Sequence, residues 1–98
     1  MKSFPILVLP DDFDRGLGEE LAIKGFCPFG KVRSATGEEY PVCFYTPTTL
    51  EQEVTRTPSH CVFEPGMIVV PDITRIIMEQ AVTVAWEHGF FRHLRPTA

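Results

Sequence analysis

The chain has 98 residues, of which 44% are hydrophobic and 22% are charged, and it carries a formal net charge of −4 with a pI near 5.2. This length supports one hydrophobic core, so we expect residues 1–98 to form a single globular domain. The apolar content excludes an intrinsically disordered chain, and the acidic balance without a basic stripe argues against binding to nucleic acid.

The cysteine pattern bears on the cellular compartment and on metal binding. Cys27, Cys43 and Cys61 are odd in number and widely spaced, whereas secreted disulfide scaffolds carry an even and denser set. No apolar stretch reaches the length of a membrane span, so we expect no membrane partner and a cytoplasmic location with free thiols. There is no C-x-x-C or H-x-x-x-H pair, no glycine-rich phosphate loop and no dinucleotide fingerprint, so we expect neither a metal nor a cofactor.

The first part of the chain predicts one strand and one short helix. Residues 4–9 are a continuous apolar run rich in branched side chains, which is typical of a buried strand. Residues 18–24 predict a short helix, and Gly25 is suited to the left-handed position that ends it.

The middle of the chain predicts a strand pair and a second helix. Residues 40–46 combine aromatic and β-branched side chains and predict a strand, whereas residues 31–34 predict a weaker one. Residues 35–38 predict the turn between them. Thr48 and Glu51 have the spacing of a capping box, which predicts the start of a helix.

The last part of the chain predicts two short strands and the clearest helix. Residues 61–63 and 67–70 predict strands connected through Pro65-Gly66, which suit the central positions of a type II turn. Apolar residues at helical spacing follow, with Asp72 as the predicted N-cap and Gly89 as the residue past the end. The side chains of this helix that we expect in the core are Ile77, Ala81 and Val84.

Together these elements predict an α+β fold. Its sheet is small and mixed, with about four to five short strands, and it is accompanied by one long C-terminal amphipathic helix and one or two shorter helices. The run Leu7–Asp11 resembles the run Ile68–Asp72, since each passes from apolar residues through Pro-Asp toward a helix. We expect the same junction geometry at both points.

Acidic residues at these junctions offer the strongest catalytic interpretation. Asp11, Asp12 and Asp14 follow the first strand, where α/β folds often place carboxylates for metal binding or phosphoryl chemistry. If the first strand and the 67–70 strand were parallel neighbours, Asp72 would lie beside Asp11 and Asp12 at one edge of the sheet. The competing interpretation is that each aspartate caps its own helix, and we favour it because turns and caps recruit aspartate.

A cysteine–histidine nucleophile is a second catalytic hypothesis. Cys43 or Cys61 would have to pair with a histidine. His60 cannot easily serve Cys61 in a strand, because adjacent residues point to opposite faces. His60, His88 and His93 remain candidates for Cys43, and His88 and His93 for Cys61. Three cysteines and three histidines in a small domain need no catalytic explanation.

Large aromatic residues concentrate near the C-terminus. Trp86, Phe90 and Phe91 either pack into the core or form an interface, where aromatic side chains are enriched. As an interface, they predict a contact in a symmetric homodimer.

The sequence thus favours a non-catalytic protein that binds another macromolecule. A protein partner is expected, for example a basic protein that this acidic chain inhibits, in the manner of an immunity protein, or a second copy in a small homo-oligomeric adaptor. The alternatives are a small enzyme that uses Asp11, Asp12 and Asp14 or Asp72, with or without a divalent metal, and a structural subunit of a larger assembly.

Overall fold

A computed structural model describes residues 4–97, which form four strands and three α-helices with two short 3₁₀ turns. This is the α+β fold that the sequence predicts, and it includes the long C-terminal helix. No helix within the described range is both long and apolar enough to cross a membrane. In chain order the strands and α-helices are β1 (Ile6–Val8), α1 (Leu17–Lys24), β2 (Phe26–Arg33), β3 (Glu39–Tyr45), α2 (Pro47–Arg56), β4 (Met67–Val69) and α3 (Arg75–Glu87).

The strands form one mixed sheet in the order β1-β2-β3-β4. The first three strands are antiparallel, and β4 runs parallel to β3. A tight turn over residues 34–38 connects β2 to β3, as predicted, and within it the Gly37 N–H donates to the Ser34 carbonyl at 3.0 Å. A parallel pair needs a crossover connection, and α2 lies in the connection from β3 to β4.

One face of the sheet carries the hydrophobic core. Alternation along the strands puts Leu7, Val32 and Phe44 on this first face, where all three are buried. Helix α1 packs here through Leu21. Helix α3 contributes two fully buried side chains, which are Met78 and Val82.

The opposite, second face of the sheet is covered only in part. On the side near β4, Cys43 and Tyr45 are buried, and the Tyr45 ring stacks on that of Phe26 with 4.5 Å between centroids. On the side near β1, Lys31 and Pro41 are exposed. This half of the second face is therefore open, and no residue of the three α-helices lines the groove that forms there.

Strand β2 starts five residues earlier than the predicted strand 31–34. Pro28 and Gly30 conceal it in the sequence because both residues are depleted in strands. The register shifts between Cys27 and Gly30, so that Pro28 and Phe29 bulge out of the ladder. Gly30 is needed here, because a Cβ atom at this position would lie 2.9 Å from Val42 Cγ2.

The predicted strand at residues 61–63 is wrong, since this segment has no regular structure. The turn that follows it forms as predicted. Gly66 has a φ of +79°, which suits the third position of a type II turn, and the Met67 N–H donates to the Glu64 carbonyl at 3.2 Å.

The sequence predicted the C-terminal ends of α1 and α3, since Gly89 follows α3 in the left-handed conformation, but not the N-caps of α2 and α3. Gly25 ends α1 in the left-handed conformation, as predicted. The N-cap of α2 is Thr46 and not Thr48, and Pro47 occupies the first helical turn. The N-cap of α3 is Thr74 and not Asp72, because the Thr74 hydroxyl accepts from the Ile77 N–H at 3.3 Å.

The buried face of α3 is rotated from the predicted one. Met78 and Val82 point into the core, Ile77 and Ala81 flank them half-buried, and Val84 is exposed. The helix carries apolar residues on several sides, so their spacing alone does not identify the face that packs on the sheet.

Candidate functional site

The acidic residues of the enzyme hypothesis are not gathered around a cavity. Strands β1 and β4 lie at opposite edges of the sheet, so Asp11 and Asp12 do not meet Asp72 along one edge. All three are exposed, and none lines any of the four best-defined cavities of the described chain. No three His, Cys, Asp or Glu side chains in residues 4–97 are grouped so that they could hold a metal ion.

Asp14 takes part in an ion pair that connects the two junctions. Its carboxylate accepts from the Arg75 guanidinium, with 3.0 Å between Oδ2 and the nearer nitrogen. The same guanidinium lies 5.3 Å from the centre of the Phe13 ring, at cation–π distance. Arg75 therefore holds the 3₁₀ turn Phe13–Arg15 against the start of α3, which is a structural role for Asp14.

The side chains of Asp12 and Asp72 do not cap helices. No side-chain capping bond is made by Asp12, which precedes the 3₁₀ turn. The carboxylate of Asp72 accepts from the N–H of the next residue, Ile73, at 3.0 Å. The helix-capping interpretation of these aspartates is therefore wrong in its detail.

A buried thiol, a carboxylate and a phenol meet on the second face. Cys43 Sγ donates to Glu64 Oε2 at 3.0 Å, and the Tyr45 hydroxyl lies 3.5 Å from Glu64 Oε1. Burial of the thiol and its hydrogen bond to Glu64 raise the pKa of Cys43 to about 12. Burial also raises the pKa of Cys27 and that of Tyr45. Such a thiol remains protonated at neutral pH, so Cys43 is a poor nucleophile there.

Of the three thiols, only Cys61 is exposed, and its closest polar neighbour is Ser59 Oγ at 3.6 Å. None of the described histidines hydrogen-bonds to either Cys43 or Cys61. Among the described residues, no histidine is therefore positioned to activate Cys43 or Cys61 as a nucleophile.

The raised thiol and phenol pKa values predict a loss of stability in alkali. Cys43 ionises near its ordinary value of 9.0 when unfolded but at about 12 when folded. Its contribution is therefore complete below about pH 9 and is lost as the pH rises toward 12. We expect urea midpoints to fall between about pH 9 and pH 12, and those of Cys43→Ala to fall less steeply. Cys61→Ala is the matched control, and an unchanged slope in Cys43→Ala would contradict this assignment.

The C-terminal aromatic residues pack together within the chain. Phe91 is buried, and its ring lies 5.3 Å from that of Trp86 and 5.2 Å from that of Phe90. Tyr40 joins the cluster from β3, 5.5 Å from Phe91. Trp86 and Phe90 are half-buried, so part of each ring still reaches the surface. A cavity of about 370 Å³ opens beside Trp86 and Phe91.

A second concave surface, which sequence reasoning missed, lies on the open half of the second face. Val8, Pro28, Phe29, Lys31 and Pro41 line a groove of about 440 Å³, hereafter the Phe29 groove. Phe29 is 51% exposed, although Cys27, two residues earlier in the same strand, is fully buried. The bulge in β2 is what turns this ring outward.

The Phe29 groove is almost entirely apolar. Its prolines offer no backbone N–H, and Lys31 is the one charged residue that lines it. No carboxylate of the described chain forms an ion pair with Lys31. A proline inside an apolar run followed by Phe-Gly is the sequence signal that could have indicated the bulge and hence the groove.

Comparison with known proteins does not assign the chain to a family. No family model, no curated protein and no solved structure matched it.

Proposed function

We propose that this protein is a non-catalytic binding protein whose functional surface is the Phe29 groove. The observation that carries the proposal is an apolar groove on the half of the sheet that no helix covers. A sheet face turned toward water usually alternates to polar side chains. Here Val8, Phe29 and Pro41 lie together on a face whose other side chains include the charged Lys31, Arg33 and Glu39. Contiguous apolar surface rimmed by charged residues is typical of interaction sites.

The groove fits a protein partner that inserts one apolar side chain flanked by a carboxylate. The apolar side chain would lie against Phe29 and Pro41, and the carboxylate would pair with Lys31 at the rim. Lys31 forms no ion pair among the described residues. The nearby Glu39 carboxylate, whose pKa is lowered mainly by its hydrogen bond from Arg33 and in smaller part by the charge of Lys31, is paired with Arg33, so Lys31 can provide this complementary charge.

The charge distribution favours a different protein over a second copy of this chain. Each copy carries a net charge of −4, and a symmetric contact through the groove would bring together two unpaired lysines. The same net charge attracts a partner of net positive charge at long range, as an acidic inhibitor of a basic cytoplasmic protein would require. The experiment must therefore distinguish a different partner protein from a second copy of this chain.

Site-specific photo-crosslinking in the native cell tests the proposal. A photoreactive phenylalanine analogue is placed at Phe29, and the matched control carries it at Ile23, which is 88% exposed on α1 and lies outside the groove. We expect one distinct protein to be cross-linked from position 29 and not from position 23. That protein, once purified, should bind the unmodified chain.

Two results would contradict the proposal. One is equal labelling from both positions, which would show that the Phe29 ring is merely exposed. The other is a cross-link from position 29 to a second copy only, which would replace the partner protein by a homo-oligomer.

A further inference from the structure

We infer that the cavity beside Trp86 is a binding site for a small apolar or aromatic carboxylate. The cavity lies between the β2–β3 turn and the C-terminal end of α3, and Tyr40, Trp86 and Phe91 form its aromatic wall. Its volume of about 370 Å³ falls within the range of roughly 300–1,000 Å³ that is typical of small-ligand sites. It shares no lining residue with the Phe29 groove.

The phenol of Tyr40 is the observation that points to a ligand. Tyr40 is only 8% exposed, and no described residue forms a hydrogen bond with its hydroxyl. Every fully buried side-chain nitrogen or oxygen among the described residues has a partner. The Tyr40 hydroxyl is therefore not fully enclosed, and on a residue that lines the cavity it is a donor that no described residue uses.

Hydrogen-bond donors outnumber free acceptors around this cavity. The Arg92 guanidinium has no ion-pair partner in residues 4–97, and no described residue accepts from the indole N–H of Trp86. Among the acceptors, Ser34 Oγ accepts from the Glu38 N–H at 3.1 Å and Glu38 Oε1 accepts from Thr36 at 3.1 Å, which leaves Glu38 Oε2 as the free side-chain acceptor at the rim. The unused donors of Arg92, Trp86 and Tyr40 favour a ligand that brings acceptors, and a carboxylate matches a guanidinium with two parallel hydrogen bonds.

The aromatic wall defines the rest of the ligand. Trp86 and Phe91 lie with 5.3 Å between their ring centroids, and Tyr40 meets Phe91 at 5.5 Å, so together they offer an apolar surface next to the donors. A phenyl or branched aliphatic group fits such a surface. The ligand class is therefore a carboxylate directly attached to an apolar body, either a free acid or the C-terminal residue of a peptide.

Binding of N-acetyl-L-phenylalanine provides the test, with N-acetyl-L-phenylalaninamide as the uncharged probe. Trp86 is the only tryptophan, so its fluorescence reports on the cavity, and calorimetry gives the Kd independently. We expect saturable binding of the acid and at least about tenfold weaker binding of the amide, which is the effect of losing a hydrogen bond to a charged group. A tetrapeptide ending in phenylalanine that binds more tightly than the free acid would identify a chain terminus as the source.

Three variants and one control test the direction in which the affinity for the acid should change. Arg92→Gln and Tyr40→Phe should each weaken binding of the acid several-fold, because each removes donors from the cavity. Glu38→Gln should strengthen it, because a like charge at the rim is removed. Arg95→Gln is the matched control, since Arg95 is an exposed arginine near the same end and does not line the cavity.

No saturable binding of the acid, equal affinity for acid and amide, or weaker binding in Glu38→Gln would each overturn the inference. None of these variants alters the Phe29 groove, so photo-crosslinking from position 29 should be unchanged in all of them. Failure at this cavity is thereby distinguished from failure of the proposed function.

Discussion

Met78→Ala is expected to lower the free energy of unfolding by about 2–5 kcal/mol, because it removes a fully buried side chain and leaves a cavity between α3 and the sheet. This is a large share of the roughly 5–15 kcal/mol that stabilises a typical domain. Urea denaturation followed by circular dichroism measures the change.

Ile76→Ala is the matched control on the same helix. The Ile76 side chain is 67% exposed, so its loss should change the stability by no more than about 0.5 kcal/mol. Equal effects of the two substitutions, or a larger one at Ile76, would show that α3 presents a different face to the sheet.

Gly66→Ala is expected to destabilise the protein by more than the roughly 3 kcal/mol that bounds most single substitutions. Gly66 has a φ of +79°, and a Cβ atom there would collide with the backbone carbonyl oxygen of Pro41. Backbone atoms of a central strand cannot move aside as a flexible side chain can. The collision would also disturb the hydrogen bond that the Cys43 N–H donates to the Gly66 carbonyl at 3.1 Å.

Gly37→Ala is the control that measures the backbone strain alone, without a collision. Gly37 has a φ of +89° but nothing within 4 Å of the added methyl group, so only the left-handed strain of about 1–2 kcal/mol is expected. Thermal unfolding of both variants provides the comparison. Similar losses at the two positions would mean that the turn at Gly66 does not pack against β3 as described.

Local signals in the sequence predicted local features of the fold well. Gly25 ends α1 and Pro65-Gly66 forms its turn, because the backbone conformations required there are ones that few other residues adopt easily. The aromatic and β-branched residues of the segment 40–46 identified β3 to within one residue at each end. These features depend on a few adjacent residues and not on the tertiary structure.

Features that depend on distant residues could not be predicted in the same way. Ile76, Ile77 and Met78 are consecutive apolar residues, and only packing against the sheet decides that Met78 is the buried one. Similarly, β2 contains Pro28 and Gly30 and is held by pairing with two neighbouring strands, which outweighs its weak strand propensity.

The candidate sites were predicted less completely than the fold. Trp86 and Phe91 were identified as functional candidates, but their partner Tyr40 comes from a strand more than forty residues away in the chain. The Phe29 groove depends on a bulge and on an uncovered half of a sheet face. The bulge and the uncovered half-face both depend on how the strands pair, and the sequences of such short strands do not specify that pairing.

The affinity of the partner cross-linked from position 29 is the measurement that tests the role of the Phe29 groove most directly. The purified partner is titrated into the wild-type chain, Phe29→Ala, Lys31→Glu and the surface control Ile23→Ala. We expect at least about a tenfold increase in Kd for the first two variants, which is the loss of about 1.4 kcal/mol of binding energy, and no change for the third. Wild-type affinity in Phe29→Ala and Lys31→Glu would contradict the assignment of this groove as the functional surface.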